Sequence, residues 1–217
     1  MKNKIYLMLT LLIVLTGNKT KAQNKEKELV FLAGTIQPFL LQGGNFEIDL
    51  YTSKMVFNYS HGFSLNMNSE NGTAVGDLAI QKLAVFLPYS TGFGIGYRLN
   101  KYFDVRLESK AHQFNVYYDG FDKKDIQNQL VSYKAYTLGV GTYFRWKPFE
   151  NNTNFLKGVF TSTSLRFWPK VHTTLKNNKM NYYNRETLKM EEHVASNIGM
   201  ANTPFIINFA IGYSIFL

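Results

Sequence analysis

The stretch Phe205-Ile-Ile-Asn-Phe-Ala-Ile-Gly-Tyr-Ser-Ile-Phe-Leu217 ends the chain and alternates in character from one residue to the next. Successive side chains of a β-strand point to opposite faces, so the stretch defines two faces. One face carries only large apolar side chains, namely Phe205, Ile207, Phe209, Ile211, Tyr213, Ile215 and Leu217. The other is mostly small or polar, with Ile206, Asn208, Ala210, Gly212, Ser214 and Phe216. The pattern predicts a strand with one apolar face and one mainly small or polar face.

Further strands are predicted upstream, wherever large apolar residues alternate with small or ionisable ones. They cover residues 30–41, 46–51, 55–65, 83–99, 105–112, 136–146 and 158–171. Pro38 interrupts the first of them, because proline cannot donate to a β-ladder. In the stretch 83–99, Leu83, Val85 and Leu87 are predicted to face outward together with Phe93. With the closing stretch the total is eight, an even number and the smallest common size of a transmembrane barrel.

The connections between these strands are predicted to differ in length at the two ends. Residues 52–54, 100–102 and 147–157 form the shorter turns, and residues 66–82, 119–130 and 172–202 form long segments on the opposite side. Residues 177–192 are predicted to be a binding loop or a solvated extension of the last hairpin. Two aromatic bands are also predicted. Tyr102, Phe103, Phe144, Trp146, Phe149 and Tyr213 would lie near the short turns, and Tyr89, Tyr117, Tyr118, Tyr133 and Phe167 near the long segments.

These features together resemble the small eight-stranded outer-membrane β-barrels of Gram-negative bacteria. The resemblance implies an all-β fold, an antiparallel up-and-down transmembrane barrel over residues 23–217, located in the outer membrane. Its partners would be outer-membrane lipids and lipopolysaccharide, together with the barrel-assembly machinery. That machinery would read the closing strand through Phe209, Gly212, Tyr213, Ile215, Phe216 and Leu217. A soluble lipocalin-like barrel is the alternative, but it would place large apolar residues inside, whereas here the ionisable residues share a face with the glycines.

The N-terminus is predicted to be a cleaved secretory signal peptide over residues 1–22. Lys2 and Lys4 precede an apolar run from Ile5 to Leu15, and the small residues Thr20 and Ala22 mark the cleavage site. An N-terminal membrane anchor is the alternative, but a spanning helix needs about 20 apolar residues.

Composition excludes several kinds of function. Cysteine is absent, so disulfides and thiol chemistry are excluded. The net charge is +9 for the whole chain, and removal of residues 1–22, with four lysines and no acids, lowers it to +5. No run of basic residues predicts binding of nucleic acid. No metal site or cofactor is predicted either, because His61, His112, His172 and His193 lack paired metal-ligand spacing.

The face that holds the glycines also holds ionisable residues, and these are predicted to form a charge network in the barrel interior. The set is Glu47, Asp49, Arg98, Arg106, Glu108, Lys110, His112, Arg145 and Arg166. An eight-stranded barrel has room inside only for side chains. We therefore expect a salt-bridged plug, with a proton or ion path, or a polar ligand pocket, as the alternatives.

One short motif contains candidate catalytic residues. His193-Val-Ala-Ser196-Asn197 weakly resembles the His-x-Ser-Asn motif of outer-membrane lipid A deacylases, which are also eight-stranded barrels. Two residues separate His193 from Ser196, where that family has one, and side chains three apart on a strand face opposite ways. The leading hypothesis is therefore a non-enzymatic barrel with structural or surface-interaction roles and an unknown loop ligand. A lipid A-directed acyl hydrolase and a narrow pore for small solutes are the alternatives.

Overall fold

The structure of the chain is a computed structural model that describes residues 27–123, 125–199 and 202–217. The predicted signal peptide, residues 1–22, lies outside the described residues. The strands are β1 (Glu28–Gly34), β2 (Gly44–Tyr51), β3 (Met55–Met67), β4 (Leu83–Arg98), β5 (Phe103–Tyr118), β6 (Gln129–Trp146), β7 (Val159–Phe167), β8 (Lys170–Thr173), β9 (Lys179–Asn184), β10 (Lys189–Val194) and β11 (Phe205–Phe216). Two short helices are α1 (Ile36–Leu40) and α2 (Asp77–Ile80). Single 3-10 turns occur at Ile126–Asn128, Phe155–Gly158 and Lys176–Asn178.

Strands β1 to β7 and β11 form a closed antiparallel barrel. They follow the order β5-β4-β3-β2-β1-β11-β7-β6, and pairing of β5 with β6 closes the ring. The first and last strands meet along their whole shared length, from Glu28 opposite Phe216 to Gly34 opposite Ala210. The predicted all-β, eight-stranded, up-and-down barrel is therefore confirmed. Among the described residues, no helix is long and apolar enough to cross a membrane.

The two ends of the barrel differ in their connections. One end, called the short-turn end below, holds both termini of the barrel and the connections at residues 52–54, 99–102 and 147–158. The opposite, long-loop end holds the connections at residues 35–43, 68–82, 119–128 and 168–204.

The outside of the wall is apolar over most of its height. Large side chains are exposed there on every wall strand, including Phe31, Phe46, Phe57, Phe93, Ile95, Leu107, Leu138, Val140, Leu165, Phe209, Ile211 and Ile215. Glycines, serines and ionisable residues occupy the alternate positions and face inward. Most of the predicted band near the short turns is also exposed, as Phe103, Trp146 and Tyr213 show.

The predicted facing of Leu83, Val85 and Leu87 is wrong, because all three are fully buried inside the barrel. A β-bulge shifts the register of β4 between Phe86 and Ser90, and one extra residue reverses the side chains on either side of it. Leu65 on the neighbouring β3 is likewise inside, next to Ser64, whose φ is +54°. The interior of the long-loop half is therefore an apolar cluster rather than a polar lumen.

The same cluster contains two residues of the predicted aromatic band at the long-loop end. Tyr118 and Tyr133 are buried in this cluster, so the prediction that they lie on the outer surface is wrong. Tyr117 is also buried, but it lies outside the cluster and its hydroxyl donates to Asn66 Oδ1 at 2.5 Å. The ring of Tyr133 stacks on Phe114, with centroids 5.3 Å apart. Phe167 does face outward and is exposed.

Two predicted strands end earlier than the sequence suggested. The predicted strand 158–171 breaks after Phe167, and β8 resumes the wall at Lys170 beside β6. Pro169 lies in the break and has no N–H to donate to the ladder. The predicted strand 30–41 also ends at Gly34, and its second half is α1, which contains Pro38.

Residues 177–192 fold into the β9–β10 hairpin, which forms a sheet separate from the barrel wall. The hairpin packs on the long-loop end, where Asn184 donates to the carbonyl of Gln81 at 2.7 Å. Gln81 in turn donates to the carbonyl of Glu192 at 2.9 Å, and the Tyr182 ring joins the interior apolar cluster. The hairpin therefore covers this end of the barrel rather than extending the wall into solvent.

Candidate functional site

Arg106 on β5 is the centre of a charge network in the short-turn half of the barrel. The residue is 2% exposed, and its guanidinium lies beside three carboxylates. Nη2 lies 2.9 Å from Asp49 Oδ2, and Nε lies 2.6 Å from Asp104 Oδ1. Nη1 lies 2.5 Å from Glu47 Oε1. The cation therefore joins β5 to β2 across the interior.

Arg166 on β7 extends this network to the opposite wall. Its Nη2 lies 3.3 Å from Glu47 Oε2, so Glu47 bridges two guanidinium groups. The ring of Tyr143 lies between them, 3.7 Å from the Arg106 guanidinium carbon and 4.8 Å from that of Arg166. The geometry stacks two cations on one aromatic ring, an arrangement that stabilises desolvated arginine.

Glu108 accepts hydrogen bonds from three neutral side chains. Tyr143 donates at 2.6 Å, Trp168 Nε1 at 3.0 Å and Asn58 Nδ2 at 3.1 Å. These donors stand on different strands or, for Trp168, directly after β7. Gly94 on β4 makes room for the arrangement, because a Cβ at that position would collide with Asn58 and Glu108. A buried carboxylate is thus held by hydrogen bonds rather than by a direct ion pair.

A second ionic cluster lies at the short-turn end. Glu28 accepts from Arg145 Nη1 at 2.8 Å and also contacts Lys147 Nζ. Arg98, also predicted as a lumen residue, is only partly buried and donates to the carbonyl of Thr52 at 2.6 Å. His112 lies higher in the interior, where its Nδ1 is 2.8 Å from Ser90 Oγ and its Nε2 is 3.0 Å from Thr137 Oγ1.

Three charged members of these clusters were not in the predicted set. Glu28 and Asp104 are buried acids, and Lys147 completes the Glu28 pair. Asp104 was detectable, since it stands one alternation step before Arg106 and immediately before the predicted strand. Glu28 lies just ahead of the first predicted strand. The predicted interior set had five cations and only three acids, and Glu28 and Asp104 supply two further acids.

Lys110 is placed differently from the other interior cations. It is 4% exposed, and among the described residues its ammonium has neither a hydrogen bond nor an ion pair. Its neighbour is the face of Trp168, 4.2 Å from Nζ to the ring centroid. Lys110 lines a cavity of about 470 Å³ in the long-loop half, along with Arg166 and Trp168.

The closing strand lies as the alternation predicts along most of its length. Phe209, Tyr213 and Ile215 are exposed on the outer wall, and Gly212 lies against the ring of Phe160 inside. Phe216 is exposed at the short-turn end, between the ammonium groups of Lys147 and Lys157 at 4.7 and 5.2 Å from its ring centroid. The N–H of Leu217 donates to the carbonyl of Lys27 at 2.8 Å.

His193 on β10 and Ser196, which follows this strand, lie close to Tyr133 of the interior apolar cluster. The Tyr133 hydroxyl accepts from the N–H of Ser196 at 2.8 Å and lies 3.4 Å from His193 Nε2. Burial, together with the nearby Lys170 ammonium, lowers the pKa of His193 to about 4. Ser196 Oγ is buried and has no hydrogen-bond partner among the described residues.

This arrangement is not that of an activated nucleophile. Within the described ranges, no carboxylate hydrogen-bonds His193 and no hydrogen bond joins it to Ser196 Oγ, whereas such a nucleophile needs both contacts. The same ranges contain no group of three or more His, Asp or Glu residues that could hold a metal ion.

Comparison of the chain with models of known protein families, with curated proteins and with solved structures gives no match.

Replacing Arg106 with Met is expected to destabilise the barrel strongly, because it leaves Glu47, Asp49 and Asp104 buried without their common cation. Loss of one partner from a buried ion pair costs about 3–5 kcal/mol. Lys101→Met is the matched control, since Lys101 pairs with Glu150 on the surface, and such pairs contribute about 0–1 kcal/mol. Urea unfolding followed by circular dichroism measures both. Equal losses in the two variants would contradict the role given to Arg106.

Stability is expected to fall as the pH drops from about 6.5 towards 4. The pKa of His193 in the folded chain is lowered to about 4, whereas an unfolded histidine titrates near 6.5. Between these pH values the unfolded state binds the proton more readily than the folded state does. This lowers the free energy of unfolding by up to about 3 kcal/mol.

The measurement is unfolding at pH 7.5 and pH 4.5 for the native chain and for His193→Gln. The variant should lose less stability between the two pH values than the native chain. The same loss in both chains would show that His193 is not the titrating group.

Proposed function

We propose that this protein is an integral outer-membrane β-barrel of a Gram-negative bacterium, with a closed interior and with its long-loop end at the cell surface. Its role on this proposal is non-enzymatic, as a structural barrel whose loops make surface interactions. The exposed apolar belt around a closed barrel is the observation that carries the proposal.

The belt is larger than a soluble protein normally exposes. On β5 the outward side chains between Phe103 and Ala111 include Val105 and Leu107 and no charged group. On β11 the outward side chains from Phe205 to Ile215 are all large and apolar. Continuous apolar surface of this kind marks contact with lipid or with another protein. Lipid is favoured because the belt runs around the whole wall and because the pairing of β1 with β11 and of β5 with β6 closes the strands into a ring.

The lengths of the strands also support a position in which the barrel extends beyond the membrane at its long-loop end. Strands β5 and β6 have 16 and 18 residues, whereas about 9–11 residues suffice to cross the hydrocarbon region. The excess lies at the long-loop end, where the interior is filled by the apolar cluster and covered by the β9–β10 hairpin. Short periplasmic turns and longer outer connections are typical of such barrels.

Several partners follow from this position. Lys134, Lys176 and Lys189 are exposed at the long-loop end, where they could meet the phosphates of lipopolysaccharide. The predicted signal peptide would direct export, and the closing strand would be read by the barrel-assembly machinery.

His193 and Ser196 are buried inside this end rather than displayed on the wall, so nothing in their placement favours a lipid A hydrolase.

A charge placed on the belt is expected to block stable insertion. Leu107 is 49% exposed on β5, and Leu107→Arg would place a cation on the lipid face, at a cost of about 2–4 kcal/mol near the bilayer midplane. Leu188→Arg is the matched control, because Leu188 is 71% exposed in the turn of the β9–β10 hairpin. Refolding into phosphatidylcholine vesicles, read by the heat-modifiable shift in gel migration, compares the two. Equal insertion of both variants, or recovery of the native chain as a soluble periplasmic protein, would contradict the proposal.

The purified chain is expected to form no stable open channel in a planar bilayer. The two ionic clusters fill the short-turn half, where an eight-stranded barrel has room only for side chains, so no continuous path is expected to cross the barrel. Single-channel recording measures this directly. Long-lived openings of uniform conductance would instead support the narrow pore.

A further inference from the structure

The cavity of about 470 Å³ in the long-loop half has a predominantly apolar lining. Leu65, Met67, Leu78 and Ile198 are among its walls. Its volume falls in the range of about 300–1,000 Å³ that is usual for ligand sites. It is therefore large enough to hold a small molecule without rearrangement of the strands.

The barrel wall is incomplete beside this cavity. Strand β1 ends at Gly34 opposite Ala210, so residues 205–209 of β11 have no strand on that side within the described chain. Helix α1 takes its place, held by Gln37 Nε2 donating to Asn208 Oδ1 at 2.9 Å and by the N–H of Thr35 donating to the carbonyl of Phe209 at 2.9 Å. A five-residue helix joined by so few bonds closes the wall less firmly than a β-ladder.

The lining of the cavity reaches the outer surface at this place. Leu40, Ile207 and Phe209 line it, and all three are exposed on the apolar outside of the barrel. The cavity therefore extends sideways from the interior to the wall, beneath α1.

The inner end of the cavity is cationic. Lys110 and Arg166 line it there, and the Lys110 ammonium is the buried cation that lacks an ion pair or a hydrogen bond among the described residues. A buried charge is costly unless it is paired. Asp49 and Asp104 pair with Arg106, and Glu47 is shared by Arg106 and Arg166. The nearby Glu108 carboxylate is held by three neutral donors. None of these acids makes an ion pair with Lys110 in the described part of the chain, so an anion from outside the chain would complete the environment of Lys110.

We propose that this cavity binds a single-chain amphiphile with an anionic head group, of which a long-chain fatty acid is the simplest. The acyl chain lies among the apolar residues and leaves through the opening under α1, and the carboxylate pairs with Lys110. Apolar walls, a cationic inner end with Lys110 left without an ion pair among the described residues, and an opening onto an apolar surface select this class over a polar solute. The entry route rests on the membrane location proposed above, whereas the binding site itself does not.

Trp168 provides a reporter inside the site. The chain has two tryptophans, and Trp146→Phe removes the one on the outer wall and leaves Trp168 beside Lys110. In nonionic detergent micelles, 9,10-dibromostearic acid should quench Trp168 fluorescence to saturation. Its methyl ester enters micelles equally but carries no charge, so it should quench weakly and without saturation.

In the same background, Lys110→Met should weaken binding of the acid about tenfold or more, because a hydrogen-bonded charge pair is lost. Lys134→Met, which removes an exposed lysine, should bind as the parent does. Heat-modifiable migration confirms that each variant is folded. Equal quenching by acid and ester in the folded parent, or unchanged binding in Lys110→Met, would overturn the proposal. Since the test needs no bilayer, its failure is separable from a failure of Leu107→Arg to block insertion.

Discussion

The pairing of Arg106 with Glu47, Asp49 and Asp104 is the interaction on which the rest of the interior depends. A barrel of eight strands has no room for bulk water around its charges, so the interior ions depend on polar and charged partners from the barrel itself. Arg106 and Arg166 share Glu47 and the Tyr143 ring, which connects strands from opposite walls. Such a network is satisfied only when β2, β5 and β7 are in register with one another. Lys110 stands apart from it, and its ammonium, which has no ion pair among the described residues, makes the adjoining cavity a binding site in our proposal.

Much of the fold could be predicted from the period-two pattern, because each wall strand has one apolar and one small or polar face. What the pattern could not show is a change of facing within a strand. The bulge between Phe86 and Ser90 turns Leu83, Val85 and Leu87 inward. Large apolar residues occupy every second position both before and after the bulge, so the pattern gives no sign of it. The interior apolar cluster, and the hairpin that packs on it, depend on that reversal.

The candidate site was predictable only in part for a related reason. The alternation of facing along each strand placed Arg106, Glu108, Lys110 and Arg166 on the inner face. The relative offset of the strands, which the alternation does not show, decides which of these side chains meet across the interior. Neutral partners such as Tyr143 and Asn58 carry no sequence signal of their role. The cavity arises because β1 stops at Gly34 and α1 replaces it, and Pro38 only indicated that a strand would be interrupted there.

A nitroxide scan along β5 in lipid vesicles tests the central claim most directly. The chain has no cysteine, so single cysteines at the outward positions Val105, Leu107, Ser109 and Ala111 can be labelled one at a time. We predict that all four labels collide with oxygen and not with a water-soluble nickel reagent. Accessibility of the odd-numbered positions to the nickel reagent would contradict a lipid-facing wall.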